Sequence, residues 1–264
     1  MKKTAAFGAV AMGVLLSTAL AGCAVNVAPP KTATTAAPSP SAGAAEKAWA
    51  RVLSKYVDEK GRIDFVGLSR DRADFDAYVA WIGRVSPVNT PASFPSRESK
   101  LAYYINAYNA LAMYNVLESG MPKDLNAVKL KFFHRNKLEL GGEKISLSEL
   151  ENTIVRPMGD PRVHFALNCM VRSCPRLPRE PFRADLLDAE LEATAQYFLN
   201  EERNVKVESD KQTVRFSQIL QFYTDDFLKK APSLIAYANR YREAKIPDSY
   251  RVEFIPYDWT LNQK

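Results

Sequence analysis

Three of the four histidine and cysteine residues that follow Cys23 lie within eleven positions, in His164-Phe-Ala-Leu-Asn168-Cys169-Met-Val-Arg172-Ser-Cys174-Pro175; the fourth is His134. An imidazole beside a thiol is the minimum for nucleophilic acyl chemistry, provided a third group orients the ring. His164 is the base in such a scheme, Cys169 or Cys174 the nucleophile, and Asp160, Asn168, Asp226 or Asp258 the orienting group. Arg172, Arg176, Arg179 and Arg183 surround Cys174 against one acid, Glu180, and cations favour thiolate. On a strand, His164 and Cys169 would face opposite sides, since five steps is odd, which favours Cys174.

Two other chemistries fit the same residues. In an oxidising compartment Cys169 and Cys174 would close a small disulfide, worth about 2 kcal/mol by loop entropy and pinning a proline-rich loop beside His164. Two histidines and two cysteines could also hold zinc, although C-x4-C is not an ordinary zinc spacing. The leading expectation is the oxidised pair beside a pocket that binds a polar or anionic ligand through Asn106, Asn109, Asn168, Arg172 and Arg176. The competing expectation is a thiol hydrolase or acyl transferase. A purely structural envelope protein needs no pocket. The sequence implies no metal and no cofactor, having neither a phosphate-binding glycine loop nor a dinucleotide fingerprint.

Four blocks resemble one known family: Tyr104-Ile-Asn106-Ala-Tyr108-Asn109-Ala-Leu111, Asp160-Pro161-Arg162-Val163-His164-Phe165-Ala166-Leu167-Asn168-Cys169, Ser173-Cys174-Pro175 and Tyr257-Asp258-Trp259. They are similar to the Domain of Unknown Function 547, over roughly residues 90–235 with the last block beyond. The resemblance implies a fold shared by exported bacterial and plant proteins, and no reaction. A thiol enzyme on this chain would be a permuted papain-like or transglutaminase-like one, because His164 precedes the cysteines.

The elements that must position these residues read as α+β. Helical periodicity predicts helices over 46–57, 71–84, 146–155, 184–199, 217–229 and 234–241. It is clearest over 99–117, where an uncharged apolar stretch carries Asn106, Asn109 and Asn115 and reads as a buried core helix. Strands are expected over 128–134, 137–140, 144–145, 205–207, 213–216 and 251–255, with 163–167 a strand or a buried turn. The expected whole is one helix-rich domain with short antiparallel hairpins over 46–264. His134 falls on a solvated strand face there, with basic neighbours able to touch anionic lipid or glycan.

The N-terminus carries an address. Lys2 and Lys3 precede an uncharged run ending in Leu20-Ala21-Gly22-Cys23, the layout of a secretory signal closed by a bacterial lipobox. Residues 1–22 are the expected signal peptide, and Cys23 the expected site of acylation, anchoring the protein to the bilayer. Ala24 then favours the outer membrane, with the domain facing the periplasm. Seventeen of the 22 residues 24–45 are Ala, Pro, Ser or Thr, a composition expected to form a disordered tether reaching at most roughly 70 Å. The whole chain has 36 Lys+Arg against 30 Asp+Glu. Losing Lys2 and Lys3 leaves 34 against 30, a net +4 that is too mild to imply nucleic acid.

Overall fold

The computed structural model describes residues 23–30 and 41–264. Of the stretch expected to be a disordered tether, β1 (Val25–Asn26) lies on the domain, Val27 is buried and residues 42–45 are already helical. The backbone satisfies its own hydrogen bonds there: Val27 N donates to Lys137 O (2.9 Å), and the Ala28 carbonyl accepts from Tyr114 Oη (2.8 Å). The expected signal peptide and residues 31–40 lie outside the described residues.

The first half of the chain holds α1 (Ala42–Tyr56), α2 (Phe65–Arg70), α3 (Ala73–Arg84) and α4 (Arg97–Glu118). Then come the hairpin β2 (Asn136–Leu140) and β3 (Glu143–Ile145), and α5 (Leu147–Glu149), which runs on as a π-helical turn over Leu150–Val155. The second half holds α6 (Leu187–Asn200), β4 (Val205–Glu208), β5 (Thr213–Ser217), α7 (Gln218–Phe222), α8 (Thr224–Leu228), α9 (Leu234–Tyr241) and β6 (Arg251–Ile255). Ser96 caps α4 and Ser146 caps α5, each in a reciprocal capping box.

The α+β class is as expected, but the sheets are mixed rather than purely antiparallel. β1 runs parallel to β2, which pairs antiparallel with β3 across Gly141 and Gly142, both at positive φ. β5 pairs antiparallel with β4 and parallel with β6. A parallel neighbour requires a long crossover, here supplied by α7, α8 and α9.

Helix α4 is buried from Leu101 to Val116 on every side, which explains how its amides come to be interior. It belongs to a large apolar core shared with α1–α3 and the first sheet. A second, smaller core lies among α6–α9 and the second sheet. Val163 packs in the first core and Phe165 in the second, so residue 164 sits at their seam.

Two local expectations are corrected and one open alternative is decided. Residues 128–134 form no strand: Asn126–Val128 is a 3-10 turn and Lys131–Arg135 a π-helical one. The Phe132 carbonyl, which a strand would offer to a neighbour, accepts instead from Asn115 Nδ2 (2.9 Å). The segment 163–167 takes the buried-turn alternative, within a 3-10 helix over Pro161–Phe165 capped by Asp160. That turn removes the strand-parity argument against pairing His164 with Cys169. Finally, the single helix expected over 217–229 is broken at Tyr223, whose φ of −119° lies outside the helical range.

Candidate functional site

His164 is 3% exposed, and its ring lies flat on Tyr223 with centroids 3.7 Å apart and planes 14° from parallel. The break between α7 and α8 puts Tyr223 there. The first turn of α8 brings Asp226, whose Oδ2 is 2.9 Å from His164 Nε2. The same oxygen accepts from Arg156 Nε (2.7 Å), and Oδ1 accepts from Lys229 Nζ (3.0 Å). The His164 hydrogen bond first, then Arg156 and Lys229, hold the Asp226 carboxyl far below the usual carboxylate range. Burial lowers the His164 pKa, so the ring is neutral at pH 7. With Asp226 an acceptor only, the network assigns the proton to Nε2 and leaves Nδ1 as a bare lone pair. Nδ1 is buried and has no hydrogen-bond partner among the described residues.

A second carboxylate stands nearby. Glu151, 8% exposed on the π-helical turn after α5, accepts from Tyr108 Oη (3.2 Å). Burial, and next the charge of Glu151, push the phenols of Tyr108, Tyr223 and Tyr257 upward, so all three remain proton donors at pH 7.

The cysteines are joined in a disulfide with Cα atoms 6.1 Å apart. Tyr257 Oη lies 3.3 Å from Cys169 Sγ and 3.4 Å from Cys174 Sγ. Asn168 ties the loop closed, donating from Nδ2 to Pro175 O (2.6 Å) and accepting at Oδ1 from Met170 N (2.7 Å).

These groups converge on one cavity of about 260 Å³. Tyr108, Glu151 and His164 are its buried side, and Tyr257, Trp259 and Cys169 stand farther out along its walls. Lys129, His134, Asn152 and Phe222, all exposed, mark its mouth. Lys129 Nζ lies 4.1 Å from the Trp259 ring centre, a cation–π contact. A smaller cavity of about 140 Å³ is lined by Asp226, Arg156 and, again, His164. His164 therefore touches both spaces, its ring held by Asp226 and Tyr223.

Of the residues singled out in the sequence, the structure brings His164, Cys169 and Asp226 together, with Cys174 behind Cys169 in the bridge. Of the four groups expected to orient the ring, Asp226 is the one that hydrogen-bonds it. Asp160 instead pairs with Arg162 (2.8 Å), and Asp258 accepts from Thr260 N (2.9 Å). The amides expected to bind a ligand serve the backbone. Asn106 donates to Phe182 O (2.8 Å) and accepts from Phe182 N (3.0 Å), while Asn109 bridges Ala166 O (3.0 Å) and Asn168 N (2.7 Å). Neither lines that cavity, although Asn106 lines another of about 550 Å³ between α1, α3 and α4, and Asn168 is spent on its own loop. Arg172 points to solvent, and Arg176 pairs with Glu201 (2.5 Å) over the Tyr197 ring. Neither arginine lines the cavity, because solvent takes the one guanidinium group and an ion pair the other.

The bridge also leaves neither cysteine a thiolate, either as nucleophile or as zinc ligand. Among the described residues no group of three or more His, Cys, Asp and Glu is placed to hold a metal ion. No described helix is long and apolar enough to cross a membrane.

Sequence reasoning missed Glu151, Arg156 and Tyr223. Glu151 had a legible signal. Leu147, Leu150, Ile154 and Val155 recur at helical spacing, and Glu151 falls on the same inward face. An acid among core positions needs a reason.

Residues 92–199 match the family described as protein of unknown function, DUF547. The matched stretch takes in α4, Glu151, His164 and both cysteines; it ends before Asp226 and before Tyr257-Asp258-Trp259. No curated protein and no solved structure matches the chain.

Proposed function

We propose that this protein is a lipid-anchored envelope protein whose cavity holds a small polar ligand between aromatic faces, against Glu151 and His164. The anchor rests on the lipobox layout at Cys23, which is exposed. The observation that carries the pocket reading is that a buried imidazole with an unbonded nitrogen and a buried carboxylate line the same 260 Å³ space. Buried polar groups ordinarily find partners inside the protein. Unpaired acceptor capacity on a residue that lines a cavity is what a donor from outside would meet.

The cavity chemistry narrows the ligand. With Arg172 and Arg176 elsewhere and Glu151 on the buried side, an anion has little to recommend it. Lys129 at the mouth is already held over Trp259. A neutral, hydroxyl-bearing ligand fits better: its hydroxyls donate to Glu151 and His164 Nδ1 and accept from Tyr257, while its C–H face packs on Tyr257 or Trp259. Sugar rings have that chemistry. The volume suits one small unit rather than a polymer.

The test is a titration of the purified protein with mono- and disaccharides, using acetate and phosphate as anionic comparisons, read by tryptophan fluorescence. Trp49 and Trp81 are buried, and W259F identifies the reporting residue. Sugar-dependent quenching that vanishes in Glu151→Gln supports the reading. Binding of the anions alone, or of nothing in the panel, overturns it.

A further inference from the structure

β1 has a consequence for where the cavity opens. Its parallel register sets Val25 opposite Asn136 and Asn26 opposite Lys137. Moving back from Val25 therefore leads beyond the start of β2, towards the turn Lys131–Arg135. Cys23 is two residues upstream, at most about 7 Å along an extended chain. A fatty acyl group on its sulfur would leave the domain beside that turn, rather than at the end of a long tether.

The turn and the residues before it have the chemistry of a membrane-contacting surface. Phe132 is buried and Phe133 half-buried, while Lys129, Leu130, Lys131, His134 and Arg135 are exposed, Leu130 to 57%. Residues 125–138 contain four Lys or Arg and no Asp or Glu. Lys137 is paired with Glu149, whereas Lys129, Lys131 and Arg135 pair with no carboxylate among the described residues. Lys129 and His134 also lie at the cavity mouth, together with the exposed ring of Phe222.

We infer that the face formed by residues 129–135 docks on an anionic lipid surface, and that the mouth of the cavity consequently opens toward the bilayer. The inference rests on acylation of Cys23 and adds orientation to it. The acyl group supplies residence on the membrane, Lys131 and Arg135 meet anionic headgroups, and Leu130 enters the interfacial layer. A ligand would then reach Glu151 and His164 from the membrane side.

The experiment uses the acylated protein as purified from its membrane and reconstituted in vesicles. An environment-sensitive dye is placed on Leu130→Cys or, as a reference, on Val207→Cys in β4, and its access to the neutral quencher acrylamide is measured. In vesicles of phosphatidylcholine with phosphatidylglycerol, the dye at 130 is expected to be protected and the dye at 207 exposed. Removing a cation weakens such docking by about fivefold, so K131E with R135E restores exposure at 130 without releasing the protein. Equal exposure at 130 and 207 overturns the inference. So does protection that persists in pure phosphatidylcholine and after charge reversal, because the contact would then not be anionic lipid. Acylation is read separately from the mass of the purified protein. An unacylated Cys23 fails the anchor, whereas an exposed dye on an acylated protein fails the docking alone.

Discussion

The amides of α4 and the groups around His164 are both polar and both buried, yet they do opposite work. Asn106 and Asn109 have their donors and acceptors engaged with Phe182, Ala166 and Asn168, so they fix where the chain after residue 160 must run. His164 has one nitrogen engaged and one open, beside a cavity. Burial alone therefore does not mark a site. The distinguishing property is unused hydrogen-bonding capacity on a residue that lines the cavity; Asn136 Oδ1 and Tyr237 Oη are also buried without a partner among the described residues, but neither residue lines it.

That contrast predicts a ranking of effects. Asn109→Ala should do most to stability, about 3 kcal/mol, since it strands one backbone donor and one acceptor in the core; urea unfolding measures it. A much smaller loss would mean that the amide is not the tie between α4 and the site loop. Breaking the bridge with Cys169→Ser and Cys174→Ser together should cost about 2 kcal/mol by the same measurement. It should also loosen the wall at Tyr257, seen as weaker ligand binding.

The pH response follows from His164. Its folded pKa is lowered, so the unfolded chain binds the extra proton first, and stability is lost as pH falls below about 6.5, the ordinary histidine value. Asp226 acts at more acid pH: its folded pKa is depressed, so its contribution is complete above about 4 and fades as pH falls further. In His164→Gln the loss between pH 6.5 and 5 should shrink; thermal unfolding across that range decides it. The smallest effect belongs to Arg172→Ala, expected within about 0.5 kcal/mol of wild type with ligand binding unchanged. A large binding loss there would return Arg172 to the binding role expected from the sequence.

Much of this was legible in the sequence. The α4 periodicity, the capping box that opens α5, the β2–β3 turn and the clustering of His164 with the two cysteines all follow from local chemistry. What was not legible depended on pairing across distance. Parallel registers for β1 and β6 have no local signature, and a short apolar run such as 163–167 suits a strand or a turn equally. Arg172 and Arg176 looked like ligand-binding groups because sequence shows charge but not its partner. Glu201 and solvent settled that. Asp226, conversely, could be named only as one of several acids, and the fold selected it by bringing the start of α8 against residue 164.

The most direct test is nitrogen-15 NMR of the imidazoles, which is simple because the chain has two histidines and exposed His134 serves as internal reference. The account predicts that His164 is neutral at pH 7 with its proton on Nε2, titrates below the ordinary histidine range, and shows a shift at Nδ1 when a binding sugar is added. A proton on Nδ1, or a titration at or above 6.5 with no response to any ligand, would contradict it.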